Sequence, residues 1–136
     1  MDENSRNILD KLICSSTLDA DLLDQFPHAL MLINQNRIVL KTNKSANELG
    51  VKVGHFCWDT FGQCASIPEQ DKAIFQSTGK PPKEGTKCLF CHADQALALK
   101  CEQKKEVTVG ETVWDTYWIP VGHDTFLHFG IQVQIN

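Results

Sequence analysis

Phe26 to Gly50 reads FPHALMLINQNRIVLKTNKSANELG, and this stretch decides the fold. Two runs of β-favouring residues, His28 to Ile33 and Arg37 to Thr42, flank Gln35-Asn36. Asparagine tolerates the left-handed backbone that a tight turn needs, so the spacing predicts a hairpin with that conformation at Asn36. Asn43 to Gly50 (NKSANELG) then predicts a short helix closed by Gly50 at a C-cap position. Upstream, Ile8, Leu9, Leu12 and Ile13 recur at helical spacing, as do Leu18, Leu22, Leu23 and Phe26. Ser16 with Asp19 three residues on reads as a capping box for the second stretch, and Pro27 ends it. Residues 1–23 are therefore expected as an amphipathic helical cap and residues 24–136 as one further domain.

Beyond the hairpin, Val51 to Gly62 reads as loop or short helix. Gln63 to Lys87 carries Pro68, Gly79, Pro81, Pro82 and Gly85, so it is expected to be mostly irregular, with one helix near Gln70 to Phe75. Ala93 to Gln103 (ADQALALKCEQ) is built of helix formers, and Asp94 suits a helix amino terminus. Strands follow at Glu106 to Val109, Thr112 to Pro120 and Thr125 to Ile135. In the last, Leu127, Phe129, Ile131, Val133 and Ile135 alternate with His128, Gly130, Gln132 and Gln134, which gives one buried and one largely polar face. His128 is accordingly expected at the surface, and His123-Asp124 in a solvated turn. Trp114 and Trp118 share one face of the preceding strand and Val113, Tyr117 and Ile119 the other, as packing residues.

At 136 residues and 42% hydrophobic, the chain suits a single folded unit. Its longest apolar run, Ala29 to Ile33, is far too short to span a bilayer. The polar, acidic start MDENSRN does not resemble a secretory signal, so a cytoplasmic location is expected. The net charge of -4 is concentrated before Gln25, and the rest of the chain is balanced. Nucleic-acid binding needs a concentrated basic field. The only basic stretch, Lys80 to Lys87 (KPPKEGTK), reads as a solvated loop.

The order of helix, two strands, short helices and three strands resembles a PAS domain. Phe26 to Gly50 looks like that family's opening: Phe-Pro, an apolar hairpin, then Asn and a small helix ending Leu-Gly. Trp114 to Ile135 (WDTYWIPVGHDTFLHFGIQVQI) is similar to its closing strand pair, with a proline ending the fourth strand. The resemblance covers Asp24 to Ile135 and departs from the pattern in a longer link between Gly62 and Lys87. It implies an α+β fold, a five-stranded antiparallel sheet with short helices on one face, here with an amino-terminal amphipathic helix. It also implies a sensory role without catalysis, with signals passed to an effector by homodimerisation or by strand-to-helix coupling. No nucleophile elbow, phosphate loop or paired catalytic carboxylates occur, in keeping with a non-enzyme.

Six cysteines, at positions 14, 57, 64, 88, 91 and 101, carry the functional question. Cys88-Leu89-Phe90-Cys91 is followed at once by His92. A Cys-x-x-Cys arises by chance in roughly one chain in four of this composition, and one followed by His in about one in a hundred, so the triplet carries the signal. Such a pair places two thiolates on one metal without straining the backbone. Cys57-Trp58 and Cys64, in the irregular middle, are candidates to close the site. A subset of PAS domains resembles this more closely, with Gly-x-x-Cys-Trp/Tyr and a later Cys-x-x-Cys opening a helix. Gly54 to Trp58 and Cys88 to Cys91 match those positions. The resemblance implies a centre formed by Cys57, Cys88 and Cys91, with Cys64, His92 or His55 as fourth ligand, holding an iron–sulfur cluster or zinc, or acting as a reversible dithiol. The alternatives are a small-ligand-binding or dimerisation PAS domain with inert thiols, and a haem sensor, since Cys-x-x-Cys-His is also the attachment motif of c-type haem. A thioredoxin-like role lacks its βαβ setting. Cys101, four residues after Leu97, and Cys14, beside Ile13, are expected in the core.

Overall fold

The computed structural model describes residues 1–14, 18–57, 69–70, 73, 77, 91–109 and 111–133. Two helices open the chain, α1 (Glu3–Cys14) and α2 (Ala20–Gln25), followed by the hairpin β1 (Met31–Asn34) and β2 (Val39–Thr42) and by α3 (Lys44–Glu48). Further on come α4 (Ala93–Leu99), β3 (Gln103–Val109), β4 (Thr112–Val121) and β5 (Thr125–Val133). The five strands form one sheet in the order β2-β1-β5-β4-β3, with antiparallel pairing throughout. The last strand therefore lies at the centre, between the first and the fourth.

Both faces of the sheet are covered. Odd positions of β4 and β5, Tyr117, Ile119, Leu127 and Phe129, join Leu32 beneath Ile8, Leu9 and Leu12 of α1 and Leu23 of α2. The intervening positions Trp118 and Phe126 join Met31, Ile33 and Val39 against Ala46 of α3 and Ala93 and Ala96 of α4. The expected alternation of the last strand holds, with Leu127 and Phe129 buried and His128, Gly130 and Gln132 less so, while Phe126, on the second face, is buried in the cluster with α3 and α4. Small residues on those helices let them approach the sheet.

Local chemistry explains most boundaries. Asp19 alone caps α2, accepting from the Asp21 amide at 2.8 Å, so the helix opens one turn later than a Ser16 cap would set it; Ser16 itself lies outside the described residues. Phe26 ends it in extended backbone (φ −68, ψ 126), as the residue before a proline must. Asn43 caps α3, and Gly50, at φ 97, follows its end at the position the sequence predicts. Helix α4 is shorter than expected. Lys100 turns left-handed (φ 54) after Leu99, so Cys101 falls beyond the helix and is exposed, where a place in the core was expected. Cys14, at the end of α1, is exposed as well, because α1 buries only the face carrying Ser5, Ile8, Leu9 and Leu12. The expected helix near Gln70 to Phe75 and the Lys80 to Lys87 loop lie largely outside the described residues. No helix among the described residues is long and apolar enough to cross a membrane.

Candidate functional site

The hairpin turn carries the first unusual residue. Asn34 donates its amide to the Ile38 carbonyl at 3.0 Å, and Arg37 donates to the Asn34 carbonyl at 2.9 Å. The Asn34 side-chain oxygen accepts from Asn36 and Ile38. The loop is thus three residues long, and its left-handed residue is Arg37 (φ 70), in place of Asn36. A three-residue hairpin usually puts glycine there, and a residue with a Cβ pays about 1 kcal/mol for the conformation.

Arg37 is also buried, with its side chain 1% exposed. Nη1 donates to the Gln35 carbonyl at 2.6 Å, and Nη2 pairs with the Asp94 carboxylate at 3.0 Å. The guanidinium stands over the Phe126 ring, 5.7 Å from its centroid. Burial disfavours its charge, but the adjacent Cys91 sulfur and the Asp94 carboxylate outweigh this, so its pKa is raised. Nε is buried without a hydrogen-bond partner among the described residues.

Two of the candidate cysteines meet at this residue. The Cys57 amide donates to the Arg37 carbonyl at 2.9 Å, just after Phe56 makes a bridge with Ile38. Cys91, three residues before Asp94, acts on the guanidinium too, helping to raise its pKa. Both cysteines are half-buried against the cluster that contains Trp118 and Phe126. His92, at the start of α4, stacks on the Trp118 indole (5.5 Å between centroids, 21° between planes). His55 lies in the same loop as Cys57, its carbonyl accepting from Val39. Cys64 and Cys88 lie outside the described residues. Among the described residues, no group of three or more metal-binding side chains forms.

His128 departs from expectation. It too stacks on Trp118, at 5.3 Å and 21°, instead of facing solvent. Its Nδ1 lies 2.9 Å from the Tyr117 carbonyl, which can only accept, so Nδ1 carries the proton and Nε2 is left basic. Burial, against that hydrogen bond and helped by the Arg37 charge, lowers its pKa from 6.5 to about 4. The sequence reasoning missed Arg37 altogether, since an arginine in a predicted hairpin reads as exposed. It missed His128 because strand alternation shows which face a residue takes and not what covers that face.

A five-stranded antiparallel sheet in the order 2-1-5-4-3, with a helix leading out of the first hairpin and another leading into the last three strands, is the sensory-box or PAS fold. Two solved structures carry the comparison. The chain is similar to a domain of an HTR-like protein from Haloarcula marismortui ATCC 43049, with 17% identity and a TM-score of 0.50 over 79% of this chain and 99% of that one. It is similar also to a sensory box sensor histidine kinase from Vibrio cholerae, with 14% identity and a TM-score of 0.51 over 95% of each chain. At these identities the likeness is one of fold. No protein-family model matches the sequence, and no curated protein matches it.

Proposed function

We propose that this chain is a sensory domain that reads redox state through cysteine chemistry at the junction of the hairpin and α4, and hands the result to a signalling effector. The observation that carries the reading is the convergence of Cys57 and Cys91 on Arg37, one through its backbone and one through its guanidinium. The donor chemistry supports a thiolate-bound group: a four-thiolate iron–sulfur or zinc site carries net negative charge, and a buried guanidinium beside it offsets that charge. Cys57 and Cys91 would hold such a group, with Cys64 and Cys88 completing the set. His92 is the weaker ligand candidate, because its ring is engaged on Trp118. A bound group would supply oxygen- or oxidant-sensitive coordination, and a reversible dithiol would supply the same input without metal. The similarity in fold to a sensor histidine kinase supports an effector partner, and homodimerisation belongs to the same proposal.

Anaerobic purification, iron and zinc analysis and an ultraviolet–visible spectrum test the reading. Broad absorption near about 400 nm that bleaches in air supports iron–sulfur, stoichiometric zinc supports the structural metal, and a sharp Soret band would replace both with haem. Absence of metal, together with Cys57→Ser and Cys91→Ser variants that match the parent in stability and oligomeric state under oxidant and reductant, would overturn it and leave a domain with inert thiols.

A further inference from the structure

We propose that α1 is exchanged between two copies of this chain, each copy seating its α1 on the sheet of the other. The inference deepens the reading above by naming the surface that makes the homodimer, and it needs neither metal nor oxidised thiol.

The seat is defined by one face of one helix. Ile8, Leu9 and Leu12 of α1 pack over Tyr117, Ile119 and Leu127, all of them buried. An apolar sheet face of this kind does not stay bare in water. The segment whose side chains fit it is α1, and a second copy carries an identical one.

A polar contact specifies the same seat. Arg6 of α1 donates through Nη1 and Nη2 to the two carboxylate oxygens of Glu102, at 2.8 and 3.0 Å. Glu102 immediately precedes β3 and belongs to the body of the domain. The pair is two-pronged and therefore oriented. Nothing in its geometry requires both residues to belong to one chain.

The connection sets the bias. Five residues separate Cys14, the end of α1, from Ala20, the start of α2. Within it Leu18 is left-handed (φ 49), a backbone that a bulky side chain disfavours. A short link under strain invites exchange: the opened link sheds the strain, while the seat is remade between chains. About a two-fold axis both seats and both Arg6–Glu102 pairs are remade at once. The layer that carries α1 thereby becomes the dimer contact.

Charge reversal reads out the connectivity. Arg6→Glu sets acid against acid and Glu102→Arg base against base, whether the pair lies within one chain or between two. When the two variants are mixed in equal amounts, only exchange restores opposite charges, and it does so at both seats of the heterodimer. Both side chains are partly exposed, so neither reversal buries an unpaired charge. The full chain is used in reductant, which keeps the exposed Cys14 and Cys101 from forming disulfide dimers. Light scattering is expected to show a concentration-dependent dimer for the parent. In native mass spectrometry of the mixture, which resolves the variants by mass, the heterodimer should outnumber each homodimer by about ten-fold or more. Chance pairing through any other surface gives about two-fold. A chain carrying both reversals keeps its own pair and, mixed with the parent, should give less heterodimer than chance. A parent that stays monomeric, or chance pairing in either mixture, overturns the proposal. The outcome is separable from the redox reading: a metal-free chain with inert thiols that still exchanges α1 overturns that reading alone, and a metal-bearing chain that pairs by chance overturns exchange alone.

Discussion

At the scale of single residues, Asn43 holds more of the fold than any other polar side chain described. It is 1% exposed. Its Oδ1 accepts from the Leu30 and Ala46 amides, both at 3.0 Å, and its Nδ2 donates to the His28 carbonyl at 2.8 Å and the Leu23 carbonyl at 3.2 Å. One side chain thus ties α2, the entry to β1 and the start of α3. Asn43→Ala leaves several buried backbone groups unpaired, so a loss of about 3 kcal/mol or more is expected in urea unfolding. Asn43→Asp should recover part of it, because the two acceptor contacts survive. His128 gives a second test at this scale. Its pKa is about 4 in the folded chain against 6.5 ordinarily, so the unfolded chain takes up the proton first. Stability is therefore full above 6.5 and falls as pH drops towards 4, by up to about 3 kcal/mol from this group. His28, lowered by burial, adds to the slope with the same sign. His128→Asn keeps a donor towards Tyr117 and should flatten the profile between pH 6.5 and 4; a profile identical to the parent's would contradict the assignment. The sequence placed Asn43 at the start of a short helix but not its reach back to α2, because contacts across 15 to 20 residues leave no local pattern.

At the scale of elements, those defined by local chemistry were legible and those closed by tertiary context were not. The hairpin, the stop of α3 and the parity of β4 all follow from periodicity and turn residues. The separation of Tyr117 and Ile119 from Trp118 onto opposite faces was readable in the same way. The end of α4 was not, since Lys100, Cys101 and Glu102 continue a helix-compatible composition. The chain stops there because β3 must start at Gln103, paired with Trp118, and Lys100 takes the left-handed turn that allows it. Lys100 is exposed, and Gly is the residue suited to φ 54. Lys100→Gly is therefore expected to stabilise the domain by up to about 1 kcal/mol in thermal unfolding, despite the low helix propensity of glycine. A destabilised variant would show that the lysine side chain does more than tolerate the turn. In α1, Leu12 is fully buried against the sheet. Leu12→Ala should cost about 2–5 kcal/mol, whereas Ile13→Ala, at a partly exposed position, should cost far less.

At the scale of the molecule, the sheet separates two layers that answer to different inputs. One face packs α1 and α2; the other packs α3, α4 and the cysteine-bearing junction. The layers communicate through the strands and through the Asn43 link between α2 and α3, and adjacent β4 residues Tyr117 and Trp118 point into opposite layers. Trp118 carries the rings of both His92 and His128, so any shift of α4 changes the stacking on the central strands. The outer edges suit a sheet that keeps its own company: β2 is four residues long, and β3 presents Lys104, Lys105 and Glu106. On the redox reading proposed above, oxidation at the junction that holds Cys57 and Cys91 reaches the layer of the Arg37–Asp94 pair first. Hydrogen–deuterium exchange of reduced and peroxide-treated protein reads this directly. Amides of 93–99 and of the hairpin turn should exchange faster after oxidation, while those of 8–12 keep their protection. If protection fell equally in both layers, oxidation would be acting through global stability, and the sheet would be no divider between input and output. If only the second layer loosened, and Asp94→Asn loosened it without peroxide, the Arg37–Asp94 pair would be identified as the tether that holds α4 in that layer.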